Sequence, residues 1–316
     1  MKKASNHPSA GPKLKPAPGP GKSSDPGSLN GSPNGSMSAG LYILATPIGN
    51  AQDVSLRALS VLAACDLVLA EDTRVTAKLF SIHGIQKTLA PYNDHNAAEA
   101  RPGILEKLQR GARIVLVSDA GTPLVSDPGF KLVRAAIGEG IGVTAIPGPS
   151  AALAALAVAG LPTDRFLFAG FLSAKAGERA RALDELKGVR ASLIFFESGP
   201  RLAESLAAMA QVLGPRDAVV ARELTKLHEE VRRGPLSELA ALYGKAGPPK
   251  GEITLVVGPP AEAVPDTAAI DAALKAALPF MPVKAAADMI AGLTGAGRKS
   301  VYDRALVLKG GEIKDE

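Results

Sequence analysis

Cys65 is the single cysteine of a 316-residue chain. That excludes an intrachain disulfide and a multi-cysteine zinc site, and it fits a reducing compartment. Tryptophan is absent and aromatic residues make up only 4%, so no platform for stacking unpaired bases is evident. There are four histidines, of which His7 sits in the N-terminal extension, and no metal site is expected. No apolar run reaches the roughly 20 residues that span a bilayer. The basic start at Met1–Lys3 is not followed by an apolar secretory segment before Gly40. The chain therefore reads as a soluble, cytoplasmic protein without membrane contact.

What is present is unevenly distributed. Residues 1–40 hold 7 Gly, 7 Pro and 8 Ser, with 5 Lys against the single Asp25. Such a segment buries too little apolar surface to offset the entropy of ordering, so residues 1–39 are expected to be a disordered basic tail. Met37 stands just before the first expected strand, and one reading is that translation begins there. The other 276 residues carry 31 Lys and Arg against 30 Asp and Glu. The net charge of +5 thus belongs mainly to the tail. A uniformly basic nucleic-acid coat is excluded, whereas a local basic groove is not.

From Leu41 onward, apolar runs alternate with helical spacing. Leu41–Thr46, Asp66–Ala70, Arg113–Val117 and Val143–Ile146 read as buried strands. Helices are expected over Ser55–Ala64, near Ala97–Arg110 and over Gly129–Ile137. This order predicts an α/β domain with a parallel sheet over residues 40–162. Phe166–Leu172, Ser192–Phe196, Ala218–Ala221 and Ile253–Val257 predict a second, mixed α/β domain over 163–260. Ala-rich helices then fill 261–316, the last two flanking Gly292–Gly297 in a helix-turn-helix-like pair.

Three Gly- and Pro-containing loops follow expected strands. They are Ala45–Asn50, the twelve residues Ser118–Gly129, and Pro147–Ala151. In open α/β sheets, ligands bind beyond the carboxyl ends of the strands, and three such loops imply one shared crevice. Charged segments also close strands: Glu71–Arg74, Glu197–Arg201 and Arg222–Lys226. Gly292–Ser300 is not a phosphate loop, because Arg298 precedes Lys299 and a helix rather than a strand leads into it. Gly138–Gly142 precedes a strand, the wrong order for a dinucleotide fingerprint. His228–Arg232 lacks the second histidine of a zinc-protease helix.

Read in order, ATPIGN, AEDTR, VSDAGTPLVSDPG, IPGPSA, LPTDRF and ARELTKLHEE resemble the 16S rRNA 2′-O-ribose cytidine methyltransferases. These belong to the tetrapyrrole-methylase-like (class III) methyltransferases. The resemblance covers about residues 40–258 and, less specifically, the helical tail. It implies a two-domain tetrapyrrole-methylase-like fold, a homodimer, S-adenosylmethionine as cofactor, and 16S rRNA in the 30S subunit as partner. The modified nucleotide would be the decoding-region cytidine at position 1402. By motif match, Pro47, Ser118, Asp119, Gly121, Thr122, Pro123, Pro149, Ser150 and Ala151 would line the cofactor pocket. Thr225 and the backbone around Gly251 would complete it from the second domain.

The same resemblance assigns substrate contacts to the AEDTR, His95-containing and RELTK segments. Asp72, Arg74 and His95 are the expected catalytic residues, with Asp72 or His95 as base. Arg74, Arg201, Arg222 and Lys226 would hold phosphates, and Arg298 and Lys299 would grip rRNA from the helical tail. Two departures stand out. Gly199-Pro200 replaces the Pro-His pair the family usually carries before Arg201, and Asn93-Asp94-His95-Asn96 stands where His-Glu-His-Asn is usual. The alternatives are methylation of a tetrapyrrole on the same fold, and a non-enzymatic RNA-binding assembly factor.

Overall fold

In the computed structural model, residues 37–126, 128–261 and 267–311 are described. The tail expected over 1–39 lies outside the described residues up to position 36, as does Asp127 of the twelve-residue loop. The contacts divide the chain into two units, one ending at Pro260 and one beginning at Ala261.

The first unit opens with β1 (Gly40–Leu44), α1 (Leu56–Ala64), β2 (Leu67–Ala70), α2 (Thr73–His83), β3 (Leu89–Pro91), α3 (Ala97–Gln109), β4 (Arg113–Val117), α4 (Phe130–Gly138), β5 (Val143–Ile146) and α5 (Ala151–Ala159). The five strands form one sheet in the order β3-β2-β4-β1-β5, parallel throughout. Continuous apolar runs suit this arrangement because helices cover both faces. Side chains of β1 alternate between those faces. Tyr42 and Leu44 pack with Ala58, Leu62 and Phe80 of α1 and α2. Leu41 and Ile43 pack with Ile104, Leu108 and Leu132 of α3 and α4. Each such leucine contributes roughly 1.5–3 kcal/mol on burial.

Local signals set the helix ends. Ser55 caps α1 by accepting from the Ala58 N–H at 3.1 Å, an interaction that typically contributes about 1 kcal/mol. Asp72 caps α2 in the same way, accepting from Arg74 N–H at 2.8 Å. Gly84 closes α2 at φ 66°, where a side chain would be strained.

The remainder of this unit is β6 (Phe166–Phe171), α6 (Ala176–Leu186), β7 (Ser192–Ser198), α7 (Leu202–Leu213), β8 (Asp217–Arg222), β9 (Glu230–Pro235), α8 (Leu236–Ala246) and β10 (Glu252–Val257). Its sheet runs β6-β7-β10-β8-β9. β6 and β7 are parallel and the other pairs antiparallel, so the sheet is mixed, as expected. Helices α6, α7 and α8 cover one face. The other face packs on α5, where Ala152, Ala155 and Ala159 bring the helix close to Ile194, Val219 and Val256. The Ala-rich α5 thus couples the two sheets.

The second unit comprises α9 (Thr267–Ala277), α10 (Val283–Thr294) and α11 (Arg298–Gly311). Ile270, Leu274, Ala286, Ile290, Val301 and Ala305 form its own core. No helix among the described residues is long and apolar enough to cross a membrane.

Candidate functional site

The loops that leave the carboxyl ends of β1, β2 and β4 meet residues of the mixed sheet around a cleft of about 390 Å³. On the first side stand Ile48, Glu71, the segment Asp119–Thr122, and Ser150 with Ala151. On the second side stand Phe171, Phe196, Leu224 and the β10 residues Gly251–Thr254. A smaller cavity of about 270 Å³ adjoins it and shares Ile48, Asp119, Ala120 and Glu252.

The loop after β4 is shaped by backbone bonds. Thr46 N–H donates to Gly121 O at 2.9 Å, and Gly121 N–H returns a bond to Thr46 O at 3.0 Å. The Thr46 hydroxyl donates to Ser118 O at 3.1 Å, and the Ser118 hydroxyl to Gly121 O at 3.2 Å. Thr122 then donates its hydroxyl to Pro149 O at 3.2 Å, tying this loop to the one after β5. Gly121 sits at φ 79°, a conformation that favours glycine.

The opposite rim is the segment Glu223–Glu229. Glu223 and Thr225 adopt φ 50° and 66°, which is uncommon for residues with a Cβ and strained for a β-branched one. Surrounding bonds hold them there. Glu223 Oε1 accepts from the Glu252 N–H at 2.9 Å and from Lys226 Nζ at 2.8 Å. Lys226 also reaches Glu252 at 2.9 Å. The Thr225 N–H donates to Glu229 at 2.6 Å, and its hydroxyl accepts from Asn50 N–H at 3.0 Å.

Of the residues matched to the cofactor pocket, Asp119, Gly121, Thr122, Ser150, Ala151 and Gly251 line the main cleft. Pro47 and Ser118 line the smaller cavity, which Asp119 also borders. Pro123 is buried in the loop, and Pro149 offers the carbonyl bonded by Thr122. Thr225 joins loop to loop.

The residues expected to act chemically stand apart from both cavity walls. Asp72 caps α2, and Arg74 grips its carboxylate, with Nη2 at 2.6 Å. The Arg74 hydrogen bonds hold the Asp72 carboxyl down to about 2, so it accepts a proton poorly near neutrality. His95 is exposed, its N–H turned to Asn93 Oδ1 at 3.1 Å.

Most of the expected phosphate-holding cations already have partners. Arg222 lies 3.1 Å from Glu230, and Lys226 bridges Glu223 and Glu252. Arg201 lies 3.5 Å from the buried Glu197 and donates to Leu172 O. Arg298 is held by Asp288 through two bonds. Lys299 is exposed and carries no ion pair among the described residues.

Two parts of the cleft carried no individual assignment from the sequence, which named Glu71 only within the charged segment Glu71–Arg74. Glu71 lines the cleft with no cation paired to it among the described residues. Burial, then the Asp119 carboxylate, pushes the Glu71 carboxyl above its ordinary range. The second part is an aromatic wall in which Phe196 meets Phe168 edge-on at 4.8 Å and Phe171 at 5.6 Å. The phenylalanines of FLFAGF and SLIFF were its signal, read only as strand residues. No group of three metal-ligating side chains occurs among the described residues.

The cleft suits a ligand that is polar at one end and apolar at the other. Its volume falls within the usual range for small-molecule sites. Backbone groups of 119–122 and 251–253 can address polar edges, Phe171, Phe196 and Ile253 can cover a flat ring, and Glu71 and Asp119 can face positive charge.

Residues 40–240 match the family of Tetrapyrrole (Corrin/Porphyrin) Methylases, and residues 264–309 match the RsmI C-terminal HTH domain. The chain is 54% identical over 273 residues to ribosomal RNA small subunit methyltransferase I of Erythrobacter litoralis, covering 86% of this chain and 96% of that one. It is 52% identical over 270 residues to the Mesorhizobium japonicum protein of the same name, covering 85% and 92%. Among solved structures, the methyltransferase CobJ superposes with a TM-score of 0.53 at 20% identity, over 70% of this chain and 95% of that one. That likeness confirms the fold.

Proposed function

The chain belongs to the ribosomal RNA small subunit methyltransferase I family, and from that membership and the cleft we propose that it methylates the ribose 2′-oxygen of the decoding-region cytidine at position 1402 of 16S rRNA. The observation that carries the reading is the polar-and-apolar cleft at the carboxyl ends of a parallel sheet, closed from the other side by a mixed sheet.

S-adenosylmethionine, the cofactor of this methyltransferase family, supplies a methyl group already activated by a positive sulfonium. The protein's task is then mainly to position and to exclude water. In this reading the backbone of Asp119–Thr122 and Gly251–Ile253, with Ser150 and Ala151, holds the cofactor. Phe171, Phe196 and Leu224 keep the reacting centre dry. The carboxylate of Asp119 stands where positive charge is stabilised. The α9–α11 unit brings Lys299 to the RNA, and its exposed lysine predicts binding that weakens with salt.

The deciding experiment is transfer of labelled methyl from S-adenosylmethionine to 30S subunits lacking this mark, with naked 16S rRNA alongside and the product mapped. A 2′-O-methyl group on the position-1402 cytidine is the expected result. Label on another nucleotide, or none in either RNA from protein that binds the cofactor, overturns the reading. A tetrapyrrole acceptor would then be the next to assay.

A further inference from the structure

Methyl transfer to a ribose hydroxyl releases one proton, so the cleft needs a group to receive it. Of the side chains expected for this work, Asp72 is neutralised by Arg74 and His95 lies on the exposed loop after β3. Neither lines the cleft. Four carboxylates do: Glu71, Asp119, Glu197 and Glu252. Glu197 is buried and already accepts from the Ser205 hydroxyl and the Ser198 N–H. Glu252 is ion-paired with Lys226. Asp119 accepts from the Asp72 N–H at 2.9 Å. Glu71 likewise accepts a backbone bond, from Asp119, and neither carboxylate has an ion-paired cation or a hydroxyl among its described partners. What separates them is that Arg74 acts on Asp119, whereas the charged groups acting on Glu71 are acidic.

Its placement follows from the sheet. Strands β2 and β4 are neighbours in register, with Ala70 opposite Val117. The next residues, Glu71 and Ser118–Asp119, therefore emerge side by side where the strands end.

We infer that Glu71 is the proton acceptor for the ribose 2′-hydroxyl in the reaction proposed above, and this inference rests on that reading. In the step, the O–H bond breaks and the proton passes to a Glu71 carboxylate oxygen. The freed electron pair of the 2′-oxygen forms the new O–C bond. The electrons of the broken C–S bond remain on sulfur, which leaves as a neutral thioether. The charged groups that face Glu71 are Asp119 from the loop after β4, Asp94 from the loop after β3, and Asp72 on its own segment. All are acidic, so a proton arriving on Glu71 is favoured.

The test compares wild type, E71Q and E71D in single-turnover methyl transfer to 30S subunits across pH, with cofactor affinity by calorimetry and melting of the protein alone. E71Q should lose about 10²-fold or more in rate and should lose the acidic limb of the pH–rate profile. E71D, which keeps a carboxylate, should keep that limb at a reduced rate. Cofactor affinity should stay within about threefold, a change below 1 kcal/mol.

Melting supplies a readout independent of activity. A carboxyl whose pKa is raised on folding makes the folded state less stable once pH exceeds the ordinary glutamate value of about 4.3. E71Q should therefore melt higher than wild type at about pH 8, and the gap should close below about pH 4. Wild-type rate and acidic limb in E71Q overturn the assignment. So does loss of that limb in D72N or H95A but not in E71Q. Cofactor affinity weakened more than about tenfold with the limb intact would make Glu71 a counter-ion instead. A wild-type chain that methylates no RNA overturns the reaction itself, and this assignment with it.

Discussion

The Thr225 hydroxyl accepts a hydrogen bond from the Asn50 N–H at 3.0 Å, and this bond joins the loop after β1 to the loop after β8. The two loops belong to different sheets and stand beside the cleft. Thr225 holds φ 66° to make the bond, a backbone state that costs of order 1–3 kcal/mol for such a residue. The T225V variant keeps the shape and loses the acceptor. Because such a bond contributes about 1 kcal/mol net, T225V should bind S-adenosylmethionine about fivefold more weakly, while T225S stays near wild type. Calorimetry checks both, and equal affinities for all three proteins would remove the strut from the account.

Gly49 makes the same junction possible. A Cβ there would lie 2.4 Å from Lys226 Cγ, 2.8 Å from Thr225 Oγ1 and 3.0 Å from Leu224 O. Overpacking of this kind costs typically 1–3 kcal/mol, so G49A should lower the melting temperature by several degrees and weaken cofactor binding. At Gly138, by contrast, a Cβ meets nothing within 4 Å. G138A should leave stability unchanged or slightly raised, since alanine reduces the freedom of the unfolded chain.

How far the sequence carried this picture depends on what each element must satisfy. Strands β1, β2 and β4 are covered on both faces, so their uninterrupted apolar runs were readable. Strands β3 and β9 were not read, and both lie at sheet edges. Edge strands tolerate proline and charge, as in Leu89–Pro91 and Glu230–Pro235. The loops after β1, β4 and β5 were legible from their Gly and Pro content, yet the reason for Gly49 was not. From the sequence Gly49 belongs only to a loop beside a ligand crevice, whereas its near neighbour is Lys226 of the same chain. The adjoining Asn50–Thr225 bond joins residues 175 positions apart, a separation no local pattern encodes. The surroundings of Glu71 were hidden for a related reason, since the main charge acting on it is Asp119, 48 positions away in the loop after β4.

Gly199 is required by a second close approach. A Cβ at this position would sit 1.7 Å from the Pro249 carbonyl oxygen, backbone against backbone. The segment before β10 therefore packs directly onto the backbone of Gly199. G199A should destabilise the chain by at least about 2 kcal/mol, visible as a lower denaturant midpoint. An unchanged midpoint would show that residues 247–250 move aside without cost.

Acid should act on the pair Asp66–Arg113. Asp66 Oδ2 accepts from the Arg113 N–H at 2.8 Å and from Nε at 3.0 Å, and these bonds hold its carboxyl down to about 2. A depressed carboxyl contributes stability that is complete above its unfolded value of about 3.9 and is lost as pH falls through the folded value. D66N should therefore melt below wild type near neutrality, and the two curves should converge below about pH 2. Because the pair is substantially exposed, the gap should not exceed about 1 kcal/mol. A gap that persists in acid would assign the loss to packing rather than charge.

Arg298 and Lys299 begin helix α11 together, and its first turn holds no acidic residue. Two cations at a helix N-terminus oppose the helix dipole. Asp288 relieves that for Arg298 by gripping its guanidinium, whereas Lys299 remains exposed to solvent. The two residues should therefore respond differently to removal. K299A should weaken binding to 30S subunits evenly across sequences and reduce the slope of log affinity against log salt by about one, with melting unchanged. R298A should mainly lower the stability of the α9–α11 unit, with a smaller change in that slope. Salt titrations of binding, run beside melting curves for both variants, separate a residue that meets phosphate from one that braces its own helix. Equal slopes for K299A and wild type would move the RNA contact to another face of the chain.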